Sequence, residues 1–245
     1  RVLLREVLDQ SMEILIWPFY RVHGFGPGLP HIPKRGPVLI VGNHSSWFDP
    51  LWLGKILPRT FRPLMGSQFY DKPVLRWFMK YVIRAIRVEQ ATTYRREAPE
   101  IREAIAALDN GECVVIFPEG RLRRSAARPL WQFGRGVWQI LSERPQTPVV
   151  VCWIEGGWGS FASYFNGPPA TNKRMDFLRP IDIAVSEPRV LDAALLKDQR
   201  ATRQSLMRAC LETRELLGLA PASIPGGNEE ESDEELTRQM SSEAT

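Results

Sequence analysis

The chain is 245 residues long, 44% hydrophobic and 24% charged, enough to bury one sizeable core and outside the disordered and fibrous ranges of composition. Its net charge of +4 is uneven: residues 224–245 carry seven carboxylates against Arg238, so the tail holds −6 and residues 1–223 hold +10, a balance that attracts anionic partners. Cys113, Cys152 and Cys210 are widely spaced with no CxxC pair, and His23, His31 and His44 lack zinc-ligand spacing, which speaks against a disulfide scaffold or a metal site and for a reducing compartment.

Residues 1–17 set Leu4, Val7, Leu8, Met12 and Leu15 at helical spacing, and Pro18 ends the run. With Trp17, Phe19 and Tyr20 at its apolar end, this amphipathic helix suits a bilayer interface and suits the protein's own core equally well. Residues 24–37 form a Gly/Pro-rich connector. The run 38–41, between Pro37 and Gly42, reads as a buried strand and leaves His44 just past its carboxyl end. A helix is expected over 50–57, with Ser45, Ser46 or Asp49 as its cap, then a strand over 61–66 and an aromatic-rich helix over 74–83. Residues 98–108 place Ile101, Ile105 and Leu108 on one helical face, with Gly111 as the stop. A buried strand over 113–117 ends at Pro118, and a helix is expected over 130–141 despite Gly134 and Gly136. Strands over 148–154 and 175–183 and an interrupted helix over 191–217 complete the chain.

Buried strands alternating with helices predict an α/β fold, a mostly parallel sheet flanked by helices. The expected division is an amphipathic helix with membrane contact over 1–20, a main domain over 21–223 and a disordered acidic tail over 224–245. No apolar run is long enough to span a bilayer, and neither an initiator Met nor a signal-peptide pattern is present. A processed protein or an excised domain, meeting any membrane from the side, is the expectation.

In sheets of this kind reactive groups collect beyond the carboxyl ends of strands, where both His44 and Glu119 fall. A histidine works as a general base when a carboxylate fixes its tautomer, and Asp49 can fold back to His44 across a strand-to-helix turn. By itself the pattern is equally a turn histidine followed by a capping aspartate. Phe117-Pro118-Glu119-Gly120-Arg121-Leu122-Arg123-Arg124 joins a strand end, a glycine and three arginines, which describes a phosphate or carboxylate cradle or simply a basic loop.

Together these clusters resemble the PlsC-like glycerophospholipid acyltransferases, a family marked by N-H-x4-D, here Asn43 to Asp49, and by F-P-E-G, here Phe117 to Gly120, in that order and at a similar spacing. Residues 21–38 look like the lead-in to the first motif, and Pro148-Val149-Val150 looks like the fourth. The resemblance covers roughly residues 15–185. It implies an acyl thioester donor (acyl-CoA or acyl carrier protein), no further cofactor, and a lysophospholipid or lysophosphatidate acceptor. It also implies His44 as base, Asp49 as its orienter, and Glu119, Gly120, Arg121 and Arg123 on the acceptor's phosphate side. The setting implied is peripheral, on the cytoplasmic face of a membrane. Gln90 stands where the family's second motif usually has Arg, with Arg84 and Arg87 nearby. Leu122 and Val151 also depart from the usual pattern, and the Gly120-Arg121 version looks closer to the acyltransferase half of bifunctional 2-acylglycerophosphoethanolamine acyltransferase/acyl-carrier-protein synthetases.

Other functions fit less well. Ser45 and Ser46 lie outside any Gly-x-Ser-x-Gly and sit too close in sequence to His44 for a hydrolytic triad. No nucleic-acid recognition motif accompanies the basic charge. A non-catalytic peripheral lipid-binding protein is the alternative from another class, and the His-x4-Asp pair argues against it.

Overall fold

A computed structural model describes residues 19–89 and 98–225. The expected helix over 1–17, Gln90 and the acidic residues of the tail lie outside the described residues. In chain order the strands are β1 Tyr20–Phe25, β2 Val38–Gly42, β3 Phe61–Gly66, β4 Ile86–Val88, β5 Cys113–Ile116, β6 Val149–Glu155 and β7 Arg179–Val185. The helices are α1 Asp49–Ile56, α2 Ser67–Tyr70, α3 Pro73–Phe78, α4 Pro99–Asp109, α5 Gly136–Glu143 and α6 Gln199–Glu215.

The seven strands form one sheet in the order β1-β7-β6-β2-β5-β3-β4. Every pairing is parallel except β6 with β7. β2, β5 and β6 are central and buried on both faces, which is why they read as unbroken apolar runs. Alternate residues of these strands serve separate cores. Leu39, Val41, Val114, Ile116, Val149 and Val151 pack with α4, α5 and α6. Val38, Ile40, Val115, Val150, Cys152 and Ile154 pack with Trp52 and Leu53 of α1 and with Tyr20. Each fully buried Val, Ile or Leu contributes about 1.5–3 kcal/mol of apolar transfer, so the three layers are held chiefly through this double-sided sheet.

Because β6 and β7 run opposite ways, the starts of β7 and β1 share an edge with the ends of β2, β5 and β6. That edge is where the motif residues emerge. The expected α/β fold is observed, with β4 and α2 added to the expected elements and four further adjustments. Tyr20, placed with the N-terminal helix, opens β1; that strand's half-exposed pattern and Gly24 gave it little strand character in sequence. The helix expected from residue 130 begins at Gly136, because Trp131 N–H donates to Glu119 and Gly134 N–H to the Pro118 carbonyl, drawing 130–135 toward the exit of β5. The strand expected from 175 begins at Arg179, after Leu178 with φ of 49°. The break foreseen in the last helix is a cap, Asp198 accepting from the amides of Arg200 and Ala201 at 2.8 and 3.0 Å.

Candidate active site

His44 follows β2 by two residues, and the chain turns at once into α1, whose first residue is Asp49. The Asp49 side chain is fully buried, and its Oδ2 lies 2.8 Å from His44 Nδ1. An ionised carboxylate only accepts, so Nδ1 carries a proton, and in the neutral imidazole that leaves the lone pair on Nε2. The same Oδ2 accepts the amides of Ser45 at 2.7 Å and Ser46 at 3.0 Å. Three N–H groups thus converge on one oxygen, and this short turn fixes both the carboxylate and the imidazole. One face of the imidazole stacks on Phe117, ring centroids 4.4 Å apart at 17°. One fifth of the His44 side chain remains open to solvent.

Glu119 acts on the backbone of this turn. Its Oε1 accepts the His44 amide at 2.6 Å and its Oε2 the Trp131 amide at 2.7 Å. Burial pushes its carboxyl up to about 8, against the two amides and Arg123, which favour the ionised form. The His44 carbonyl in turn accepts the Arg123 amide at 2.8 Å. Both backbone groups of the histidine are therefore tied to the segment after β5.

The expected cradle residues divide into two kinds. Glu119 and Arg123 face the protein: Arg123 donates to the carbonyls of Ser125 and Ala126 at 2.8 and 2.7 Å, over the Trp158 ring. Gly120 and Arg121 face outward. Gly120 has φ of 65°, a conformation that costs a side-chain-bearing residue, and closes a turn onto the Phe117 carbonyl. The exposed Arg121 guanidinium lies 5.1 Å from the centre of the Trp131 ring, and Arg124 lies over Tyr164 in the same way. The Trp131 indole N–H is buried and has no acceptor among the described residues.

Several contacts that hold the turn carry little signal in sequence. Asn43 exchanges two hydrogen bonds with the Ile154 backbone, 3.0 and 2.6 Å, and so continues the β2–β6 pairing with a side chain. Gly157, two residues after β6, lies against the back of the turn: a Cβ there would come within 2.2 Å of Ser45 Oγ and 3.4 Å of Asp49 Oδ1. The Gly156-Gly157 doublet after a buried strand is the one sequence cue to this close approach. The segment from 156 to 178 forms a further wall, joined through Trp47 N–H to the Ala162 carbonyl and through the hydroxyls of Ser46 and Ser160.

Ser45 and Ser46 are buried, and their hydroxyls meet Asp49 and Ser160 respectively, leaving neither placed as a nucleophile. Arg87 is paired with Asp71 and Arg84 with Glu112. A pocket of about 160 Å³ lined by Arg59, Arg62 and Arg84 sits at the starts of β3 and β5, opposite the His44 edge. Its Arg59 is already spent on three backbone carbonyls. Among the described residues no cluster of His, Cys, Asp and Glu is arranged to hold a metal, and no helix is long and apolar enough to cross a membrane.

A buried carboxylate hydrogen-bonded to a partly open histidine thus lies at the carboxyl edge of an α/β sheet, beside a cationic loop. A family model described as Acyltransferase matches residues 27–155, more than half of the chain and the whole of this turn and loop; the chain belongs to that family. Among solved structures it is similar to the crystal structure of the 1-acyl-sn-glycerophosphate (LPA) acyltransferase PlsC from Thermotoga maritima. The identity is 20% and the TM-score 0.63, over 89% of this chain and 83% of that one, a PlsC-like fold.

Proposed function

We propose that this acyltransferase moves a fatty acyl group from an acyl thioester, acyl-CoA or acyl carrier protein, to a hydroxyl of a lysophospholipid or lysophosphatidate. It would work from the cytoplasmic face of a membrane as a peripheral enzyme. The observation that carries the reading is the His44–Asp49 contact, buried on the aspartate side and open on the imidazole side. His44 Nε2 takes the proton of the acceptor hydroxyl as its oxygen attacks the thioester carbonyl. The tetrahedral intermediate collapses with cleavage of the C–S bond, and the imidazolium returns its proton to the departing thiolate. Ester and free thiol result, with no acyl-enzyme. Asp49 stabilises the transient imidazolium at 2.8 Å.

Gly120 and Arg121 face the acceptor phosphate in this reading, with the Arg121 guanidinium set against the Trp131 ring. Glu119 and Arg123 contribute by shaping the loop. His44→Ala is the test, with thiol release followed from labelled acyl-CoA and acyl carrier protein against lysophosphatidate, lysophospholipids and neutral alcohols. Loss of about 10²–10⁴ in kcat with the fold retained is expected. Wild-type turnover in that variant would overturn the mechanism.

A further inference from the structure

Eight large apolar side chains are exposed among the described residues, and they fall in three groups. Phe25, Val190 and Leu216 lie toward the sheet edge opposite His44: Phe25 ends β1, Arg189 pairs with the first residue of β6, and Leu216 lies beside Gly26. Trp77 and Tyr81 lie in and just after α3. Phe165, Met175 and Phe177 belong to the wall segment between β6 and β7, on the His44 edge, and Phe177 is the most open of all at 75%.

The chain around Met175 and Phe177 is pinned, so their exposure is built in. Asp176 between them points inward, 8% exposed, accepting Tyr20 O–H at 2.7 Å and Phe161 N–H at 2.8 Å. Arg179 bonds the carbonyls of Gly156 and Trp158, closing the base of the segment, and Lys173 donates to the carbonyls of Ser163 and Gly167. Asn172 and Leu178, on either side, adopt φ of 51° and 49°, a conformation that leucine rarely takes. Inward Asp176 forces its two neighbours outward. The surroundings are cationic: residues 120–128 and 156–180 hold seven basic side chains and one carboxylate, Asp176.

We infer that Met175 and Phe177 form an insertion wedge for an anionic bilayer, next in the chain to the exposed Arg174 and on the edge where the exposed Arg124 lies over Tyr164, and that it brings the His44 edge down onto the lipid surface. The inference rests on the proposed use of a membrane-borne acceptor and names the surface that reaches it. Apolar tips framed by guanidinium groups match the layering of a bilayer, acyl chains beneath anionic phosphates. Phe25, Val190 and Leu216 have no place in this contact.

The test compares the wild-type chain with Met175→Ser/Phe177→Ser and with Phe25→Ser/Val190→Ser. Binding is read by co-sedimentation with vesicles of phosphatidylcholine plus phosphatidylglycerol and of phosphatidylcholine alone. The wedge variant should lose about tenfold or more in partition to the anionic vesicles. It should transfer acyl groups normally to a short-chain monodisperse lysophospholipid and slowly to the same headgroup embedded in vesicles. The opposite-edge variant should match wild type in every arm. Unchanged partition of the wedge variant, or equal loss in both variants, overturns the inference. So does intact vesicle binding with a defect confined to acyl carrier protein as donor, which would assign the surface to that acidic partner. Failure of wild type to acylate the monodisperse acceptor would count against the proposed function and leave the vesicle comparison standing.

Discussion

Asp49→Asn separates the two things the carboxylate does, holding the ring and carrying charge. Three N–H groups, from His44, Ser45 and Ser46, converge on Oδ2 within 3.0 Å. In the asparagine variant an amide NH₂ at that position would face three donors, so the amide oxygen must occupy it. The NH₂ then takes the Oδ1 position, where the Ser45 hydroxyl, 3.5 Å away, can accept. The Nδ1–H tautomer survives, and only the charge is lost. Charge-assisted hydrogen bonds are worth about twice neutral ones, a difference of about 1–2 kcal/mol at the imidazolium-bearing transition state. Asp49→Asn should therefore lower kcat about 5- to 30-fold with little change in KM, far less than His44→Ala. Asp49→Ala strands three donors instead and should destabilise the fold by about 3 kcal/mol or more. Thiol release under saturating substrate measures the first effect and thermal denaturation the second. An asparagine variant as inert as His44→Ala would refute the convergence argument; one fully active would refute any role for the charge.

Gly157→Ala should cost about 1–3 kcal/mol, a fall of about 2–12 °C in Tm, because its Cβ meets Ser45 Oγ at 2.2 Å and Trp52 at 3.0 Å; adding Ser45→Ala should recover much of the loss in differential scanning calorimetry. Glu119 holds a proton in the folded state up to a pH of about 8, whereas its ordinary value is 4.5. Its stabilising protonation is complete below 4.5 and lost as pH rises through 8, so unfolding free energy should fall across that window, by up to about 1.4 kcal/mol per pH unit, and Glu119→Gln should flatten the slope. Arg121→Ala should raise KM for phosphorylated acceptors while sparing neutral alcohols, and equal loss with both would remove the phosphate role.

The sequence was most legible where chemistry and burial coincide. The apolar runs of β2, β5 and β6 announced a buried sheet, and the residues just past two of them, His44 and Glu119, are joined in space. The same rule could not say which of Glu119, Gly120, Arg121 and Arg123 would face outward, since Glu119 and Arg123 are turned inward by backbone groups that no side-chain pattern encodes. Periodicity also failed over 130–135, whose amides are drawn to Glu119 and Pro118 in place of a helical ladder. Edge strand β1 was silent because only one of its sides is covered. Asn43 opens the N-H-x4-D motif, but its use as a surrogate rung for Ile154 is a tertiary fact.

The aromatic seats of the arginines carry a consequence for engineering. Arg123 and Arg124 rest on Trp158 and Tyr164, residues of the β6–β7 wall, whereas His44 and Asp49 are braced by Phe117, Glu119 and the Ser45–Ser46 amides. The His44–Asp49 pair and the guanidinium groups thus lean on different side chains, although the same wall also touches the turn at Gly157, Ser160 and Ala162. A library confined to the side chains of Trp158 and Tyr164, with Gly157 and Ser160 held constant because they touch the Ser45–Ser46 turn, would reposition guanidinium groups around the opening while sparing the His44–Asp49 contact, a route to altered surface charge that does not begin by damaging that pair.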